Sequence, residues 1–354
     1  MVEPVKVPAL PLKDFCLRAL ELSGVRKDVA VDVSASLIEA SLRGVDSHGI
    51  RLLPHYLRAV AAGRLNPNPK MSFSKTAPSA GILDADDTFG HAAGAGAVRE
   101  AMRLAKASGL GAVAVKNSSH FGTASFFALM AARQDMIGLS FTHADSLLLS
   151  TGGRRAYLGT NPIAFAAPVE GEEPFCLDMA TSITTWNKIL QRRESDQSIP
   201  SGWGVDAQGR ETTDAHKTSA LVPAGLHKGY GLSMMVEILC GVLTGMPFGR
   251  SIVRMYADPI SRKRKLGHFF CVFNPVFFME LPLFKSRMKQ MVDEIRNEPP
   301  LDPSHPVMVA GDPEKKTQKE RLSLGIPFAQ SDLKAFRELA SHLKLPFPSA
   351  PADI

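Results

Sequence analysis

The sequence predicts an α/β protein whose sheet-bearing middle is flanked by helical segments from both chain ends. Three observations carry this. Apolar residues recur at helical spacing through the first third of the chain. From Ile82 to Gly311, short apolar runs alternate with helical patterns, the rhythm of an α/β core. Beyond Gly311-Asp312 the pattern returns to helix, until a Pro-rich tail at Pro346 to Pro351. At 354 residues the chain can hold two or more domains, and its 45% hydrophobic and 21% charged residues are ordinary for a globular protein.

Leu12 to Leu22 reads as the first helix. Asp28 to Arg43 is the second, because Ala30, Val33, Leu37 and Ala40 share one face. Gly44 stops it, and Val45-Asp46-Ser47-His48-Gly49 leads into a third helix carrying Tyr56, Leu57 and Val60. Gly63 through Pro69 is a turn-rich break. Ile82-Leu83-Asp84 ends a strand, and Ala92 to Ala107 is a helix with Val98, Ala101, Met102 and Ala105 on one face. Gly111 to Val115 is a strand, Phe121 to Arg133 a helix, and Ile137 to Thr142 a strand. Strands follow at Ile163 to Ala167 and Phe175 to Met179, then a helix from Thr181 to Arg192 with Trp186 and Ile189 inward. Pro200 to Gly204 and Asp206 to Asp214 are loops. Leu232 to Gly245 is a long core helix, with Met234, Ile238, Gly241, Val242 and Gly245 on one face. Phe269 to Phe273 and Val307 to Val309 are strands around a helix from Pro282 to Arg296, and two helices close the chain.

Several function classes recede. The four cysteines, Cys16, Cys176, Cys240 and Cys271, form no C-x-x-C pair, which argues against zinc ribbons and disulfide scaffolds and fits a reducing, cytoplasmic setting. Met1 to Pro11 has no apolar core of a secretory signal. The one membrane-length run, Gly229 to Gly249, carries Glu237 near its middle, so it reads as a core helix and no membrane partner is expected. The net charge is +6, and its densest run, Arg262-Lys263-Arg264-Lys265, lacks interleaved aromatics. It reads as a solvated loop, not a nucleic-acid face. His48 and His55 lie seven apart without accompanying ligand spacing, so no metal is expected.

Other motifs point to chemistry. Lys228-Gly229-Tyr230-Gly231 opens a helix, where the positive dipole end and an ammonium favour a phosphate. Gly94 to Arg99 is the nearest approach to a dinucleotide fingerprint, but arginine stands where its third glycine belongs and the stretch reads as helix. Asp46-Ser47-His48-Gly49-Ile50-Arg51 sets a hydroxyl, an imidazole and a guanidinium at a loop-to-helix junction. Asn117-Ser118-Ser119-His120-Phe121-Gly122 sets a second imidazole at a strand end. Histidine is the usual proton carrier near neutral pH, and arginine's fork suits a carboxylate. Gly159-Thr160-Asn161-Pro162 and Asp178-Met179-Ala180-Thr181-Ser182 mark a turn and a strand-to-helix junction.

Together these motifs resemble the non-Rossmann family of malate and L-lactate dehydrogenases, which also holds ureidoglycolate, sulfolactate and diketogulonate dehydrogenases and a cyclic-imine carboxylate reductase. Ser47-His48-Gly49, Asn117 to Gly122, Gly159 to Pro162, Asp178 to Ser182, Ile199-Pro200, Lys228 to Gly231 and Gly311-Asp312 occur in family order, over roughly Leu12 to Leu343. Asp178 to Thr181, Ser198 to Pro200, Pro247 to Arg250, Met255-Tyr256 and Asn274-Pro275 look most like the ureidoglycolate branch.

The resemblance implies a non-Rossmann cofactor domain on a mainly antiparallel sheet and a second domain built from both chain ends. The corresponding parts are 1–75, helical; 76–265, the cofactor core; and 266–354, returning to the first part. It implies a homodimer or higher homo-oligomer, a small 2-hydroxy acid as substrate, and NAD(H) or NADP(H), with NAD following from the ureidoglycolate likeness. Lys228 and Gly229 would meet the phosphates, Asp178, Met179 and Ala180 would line the dinucleotide, and Asn161, Gly311 and Asp312 would complete its site. His120 would carry the proton, with His48 and Ser47 orienting substrate and Arg51 binding its carboxylate; other branches exchange the two histidines. The family usually has arginine three places after the glycine of Ser-His-Gly. Here that place is Leu52 and the arginine is Arg51, about 100° away on a helix. Two rival readings are a Ser–His hydrolase, which would lack the G-x-S-x-G elbow, and a non-catalytic nucleotide-binding paralogue.

Overall fold

Residues 4–348 are described by the computed structural model; the end of the Pro-rich tail lies outside them. Valine, phenylalanine and alanine runs of strand length assemble into a seven-stranded sheet. Its spatial order is Ser72–Ala77, Ala80–Asp84, Leu110–Ser118, Leu266–Phe273, Ile137–Thr142, Ile163–Val169, Glu172–Met179. Only Ala80–Asp84 and Leu110–Ser118 pair in parallel; every other neighbouring pair is antiparallel. This is not a doubly wound parallel sheet. The helices Gly90–Ser108 and Ala124–Ala132 pack on it around Val113, Val115, Phe121, Phe127 and Phe270. Gly111 permits that approach, since a Cβ there would lie 1.9 Å from the Ala101 carbonyl oxygen.

Both chain ends meet in a second core. The helices Ala9–Leu22, Lys27–Leu42 and Leu53–Ala61 bury Leu12, Phe15, Leu37 and Leu53 against Phe328 and Phe336. Strand Val5–Val7 pairs with Ile326–Phe328, Val5 opposite Phe328. A small five-stranded sheet forms from short strands between Leu148 and Leu221. It includes Gly204–Val205 and Glu211–Thr212, from segments expected to be loops.

Five expectations need correction. The helix expected from Thr181 starts at Trp186, because Thr181 and Ile183 donate their N–H groups to Thr160 and Val222 and Ser182 bridges Pro223. Val307 to Val309 is not a strand; it runs into a turn in which the Asp312 carboxylate takes the Val309 N–H at 3.1 Å. The core helix runs His227–Glu237 and ends in a π-turn, Ile238–Val242. On the apolar face expected of this core helix, Met234, Ile238 and Val242 are 42%, 52% and 56% exposed, while Ser233, Val236 and Cys240 are buried. Helical spacing marks one apolar face, not what covers it. The basic run is a loop that is solvated only in part: Arg262 and Lys263 are exposed, but Arg264 is buried, and Lys263 and Lys265 both reach the buried Asp87, at 2.6 and 2.7 Å. Finally, Leu266–Phe273 lies fourth in the seven-stranded sheet, so the segment from 266 does not simply return to the first part.

Phe270 is fully buried, its ring 5.2 Å from that of Phe127. Phe270→Ala leaves a void between sheet and helices and is expected to cost about 3–5 kcal/mol of stability, measured by denaturant unfolding.

Candidate active site

The imidazole site is built from three separate chain segments. Tyr56 sits in the helix Leu53–Ala61, buried, with its phenol 2.6 Å from His120 Nδ1. His120 follows strand Leu110–Ser118, after Asn117 turns the backbone at φ 54°. His48 ends the single 3₁₀ turn Asp46–His48, and its ring stacks on that of His120 at 5.4 Å. Arg321 holds this turn by gripping both Asp46 oxygens, at 2.6 and 2.9 Å. Ser47 Oγ lies 2.8 Å from His48 Nδ1.

Burial dominates the electrostatics. Loss of water lowers His48 to about 4 and His91 to about 3, since a dry site disfavours the imidazolium. His120 is driven well below its ordinary value by burial first, then by the charges of His48, Arg264, His91 and His55. Burial likewise raises the Tyr56 phenol, which stays protonated. The Tyr56 contact occupies Nδ1 and leaves Nε2 as the free ring nitrogen of His120, which keeps its lone pair in the tautomer with the proton on Nδ1. A neutral, oriented imidazole is the result.

The cofactor motifs also converge. Thr181 donates to the Thr160 carbonyl and accepts from Ala224 N–H, both at 2.9 Å, which joins the segments around Asn161, Asp178 and Lys228. Gly229 is required at this junction: a Cβ there would lie 2.3 Å from Ala224 O and 2.7 Å from Thr181 O. The start of the helix His227–Glu237 therefore abuts the end of strand Glu172–Met179, with Lys228 exposed and Met179 and Ala180 half-buried. Asp178 Oδ2 accepts the Ser125 N–H at 2.8 Å, tying this strand to the segment after His120. A glycine-permitted cradle with an exposed ammonium fits a dinucleotide's phosphates. The backbone N–H groups of Lys228, Gly229 and Tyr230 are already capped by Gly225, Ala224 and Leu226, so attraction falls to the ammonium and the dipole.

Three expected contacts are placed otherwise. Asn161 is fully buried, and its amide is committed to Ala144 N–H, Ser233 O and Glu237 at 3.1, 3.0 and 2.7 Å. It braces the helix and is closed to a ligand. Asp312 is held by Arg296 at 3.0 and 2.6 Å, while Gly311, at φ 95°, packs against the Cys176 carbonyl two residues before Asp178. Arg51 pairs with Asp332 at 3.0 Å. Tyr56 and His91 were missed as neighbours of the imidazoles. Tyr56 had one usable signal, an aromatic with a polar tip on the helix next to Ser-His-Gly.

Comparison with known proteins decides the family. The malate/L-lactate dehydrogenase family model matches residues 7–337. The chain belongs to that family. A malate dehydrogenase of Pyrococcus abyssi is 37% identical over 346 residues, 95% of this chain and 94% of its own. An NAD(+)-dependent ureidoglycolate dehydrogenase of Escherichia coli O157:H7 is 36% identical over 304 residues, 86% of this chain and 87% of its own. A (2R)-3-sulfolactate dehydrogenase of Chromohalobacter salexigens, NADP(+)-dependent, is 35% identical over 268 residues, 75% and 80% of the two chains. The crystal structure of malate dehydrogenase from Entamoeba histolytica superposes with a TM-score of 0.91 at 31% identity, covering 97% of this chain and 99% of that one. The family likeness in the motifs is met; malate, ureidoglycolate and sulfolactate relatives stand at similar identity. No helix among the described residues is long and apolar enough to cross a membrane.

Six histidines, 48, 55, 91, 120, 143 and 268, have depressed values, burial being the first cause in each. Between 6.5 and about 4 the unfolded chain binds protons that the folded chain refuses, so stability rises with pH across this window. The melting temperature is expected to be about 5 °C or more lower at pH 5 than at pH 7, measured by calorimetry.

Proposed function

We propose that this protein exchanges a hydride between NAD(H) or NADP(H) and the 2-position of a small 2-hydroxy acid. The observation that carries the reading is the 2.6 Å contact between Tyr56 and His120 in a site that keeps the imidazole neutral. As a hydride leaves the substrate carbon its hydroxyl must lose a proton, and the free Nε2 of His120 is matched to take it. His48, stacked beside it and held by Ser47, orients the hydroxyl. When bound, the nicotinamide supplies the hydride chemistry that no side chain can. Lys228 attracts the dinucleotide's phosphates, and Asp178 to Ala180 lie along it. The motif likeness favours a ureidoglycolate-type acid, with malate, lactate, sulfolactate and a cyclic imine carboxylate as the other substrates to screen.

His120→Ala is expected to lower kcat by about two to four powers of ten with NADH binding retained by fluorescence, while His48→Ala mainly raises KM. If neither variant slows turnover beyond a few-fold, the imidazole mechanism is wrong.

The exposed face of Met234, Ile238, Val242 and Leu243 supports a homodimer, because a contiguous apolar helix face on a soluble chain marks an interaction surface. Light scattering is expected to give twice the chain mass for the wild type and the single-chain mass for Ile238→Asp. A monomeric wild type at micromolar concentration would exclude this.

A further inference from the structure

A 2-hydroxy acid presents a carboxylate beside its reacting carbon, and Arg51 is held by Asp332. The place where the family usually carries arginine is Leu52, packed against the helical core. Another guanidinium lies within electrostatic reach of His120. Leu266 lies across from Ser118 in an antiparallel pair. Two residues beyond that pair, one chain carries Arg264 and the other His120.

The Arg264 side chain is 2% exposed. Its Nε donates to Val253 O at 2.9 Å, and its Nη2 is held by Asp145, whose other oxygen accepts the Met255 N–H at 2.8 Å. Among the described residues Nη1 has no protein partner, and it is not sealed from solvent. Tyr256, next to Met255, packs on His55 at 5.1 Å between ring centres, and His55 packs on Tyr56. The positive charge of Arg264 is felt at His55, Tyr56 and His120. A buried fork held through Nε and Nη2, with Nη1 left unpartnered, has a donor to give a planar anion.

We propose that Arg264 binds the substrate's carboxylate and so selects 2-hydroxy acids over neutral alcohols, with Asp145 as its positioning residue. The proposal rests on the dehydrogenase reading above for the identity of the reaction, not for the anion site itself.

The test compares full-length wild type, Arg264→Met, Arg264→Lys and Arg51→Ala. Kinetics are measured with pyruvate and oxaloacetate against NADH and NADPH, and oxamate binding by calorimetry. Arg264→Met is expected to raise KM for the 2-oxo acid and Kd for oxamate by about 10- to 100-fold, with KM for the dinucleotide within about twofold. Arg264→Lys recovers part of the loss. The acid limb of the kcat/KM profile moves to higher pH in Arg264→Met, because one cation facing His120 is gone while His48, His91 and His55 remain. Unchanged KM and Kd overturn the proposal. So does a parallel loss for acid and dinucleotide with a fallen melting temperature, which is the signature of a brace. A rise in KM with Arg51→Ala and none with Arg264→Met also overturns it. If the wild type turns over no 2-oxo acid yet oxamate binding weakens in Arg264→Met, the anion site stands and the dehydrogenase reading falls. If oxamate does not bind the wild type, both fall.

Discussion

The insertion of Leu266–Phe273 between Leu110–Ser118 and Ile137–Thr142 is the constraint on which the rest of the structure depends. The strand fills the sheet centre and buries Phe270 and Val272. His268 on it is clasped by Ser118 and Thr142 at 2.8 and 2.7 Å, and Gly267 N–H donates to His143 at 2.8 Å. The ladder that closes the core also sets where the chain leaves it. On one side the exit leads to His120, on the other it comes from Arg264. Site geometry and core stability are thus two readings of one set of hydrogen bonds.

Dryness does the rest. The same burial that packs Tyr56 and His91 holds the imidazoles neutral, and it strengthens every charge that faces them. Arg264 would be screened in water; inside, with Asp145 as counter-ion, its charge reaches a base on another segment. Arg64 anchors the surrounding loop through the carbonyls of Met255 and Pro259, both at 2.9 Å.

Much of this was legible in the sequence, for local reasons. Helical periodicity located the helices Lys27–Leu42 and Gly90–Ser108 to within a few residues, because their buried faces repeat every turn. Ser47, His48 and His120 stood out because two serine–histidine motifs recur, each at an element boundary beside glycine, where one alone would read as a helix cap. What was hidden is what depends on distant pairing. Thr181 to Thr185 has the composition of a helix start, yet its backbone is captured by Thr160 and Val222. Arg264 looked like one charge in a basic run, and only its burial against Val253 and Asp145 shows that it points inward. Asn161 carried the look of a ligand residue, whereas its amide serves Ser233 and Glu237 from a segment about 70 residues away.

The central position of Leu266–Phe273 has a consequence for biogenesis. A chain emerging from the ribosome presents Leu110–Ser118 and Ile137–Thr142 long before the strand that belongs between them exists. Until then both carry unpaired edges, and the helical core likewise waits for Ile326–Phe328 to join Val5–Val7. Such topology folds slowly and late, since distant loop closure must precede the contacts that reward it. Chains that stop before this strand therefore leave two sheet edges open, and the last quarter of the sequence acts as the latch that closes them.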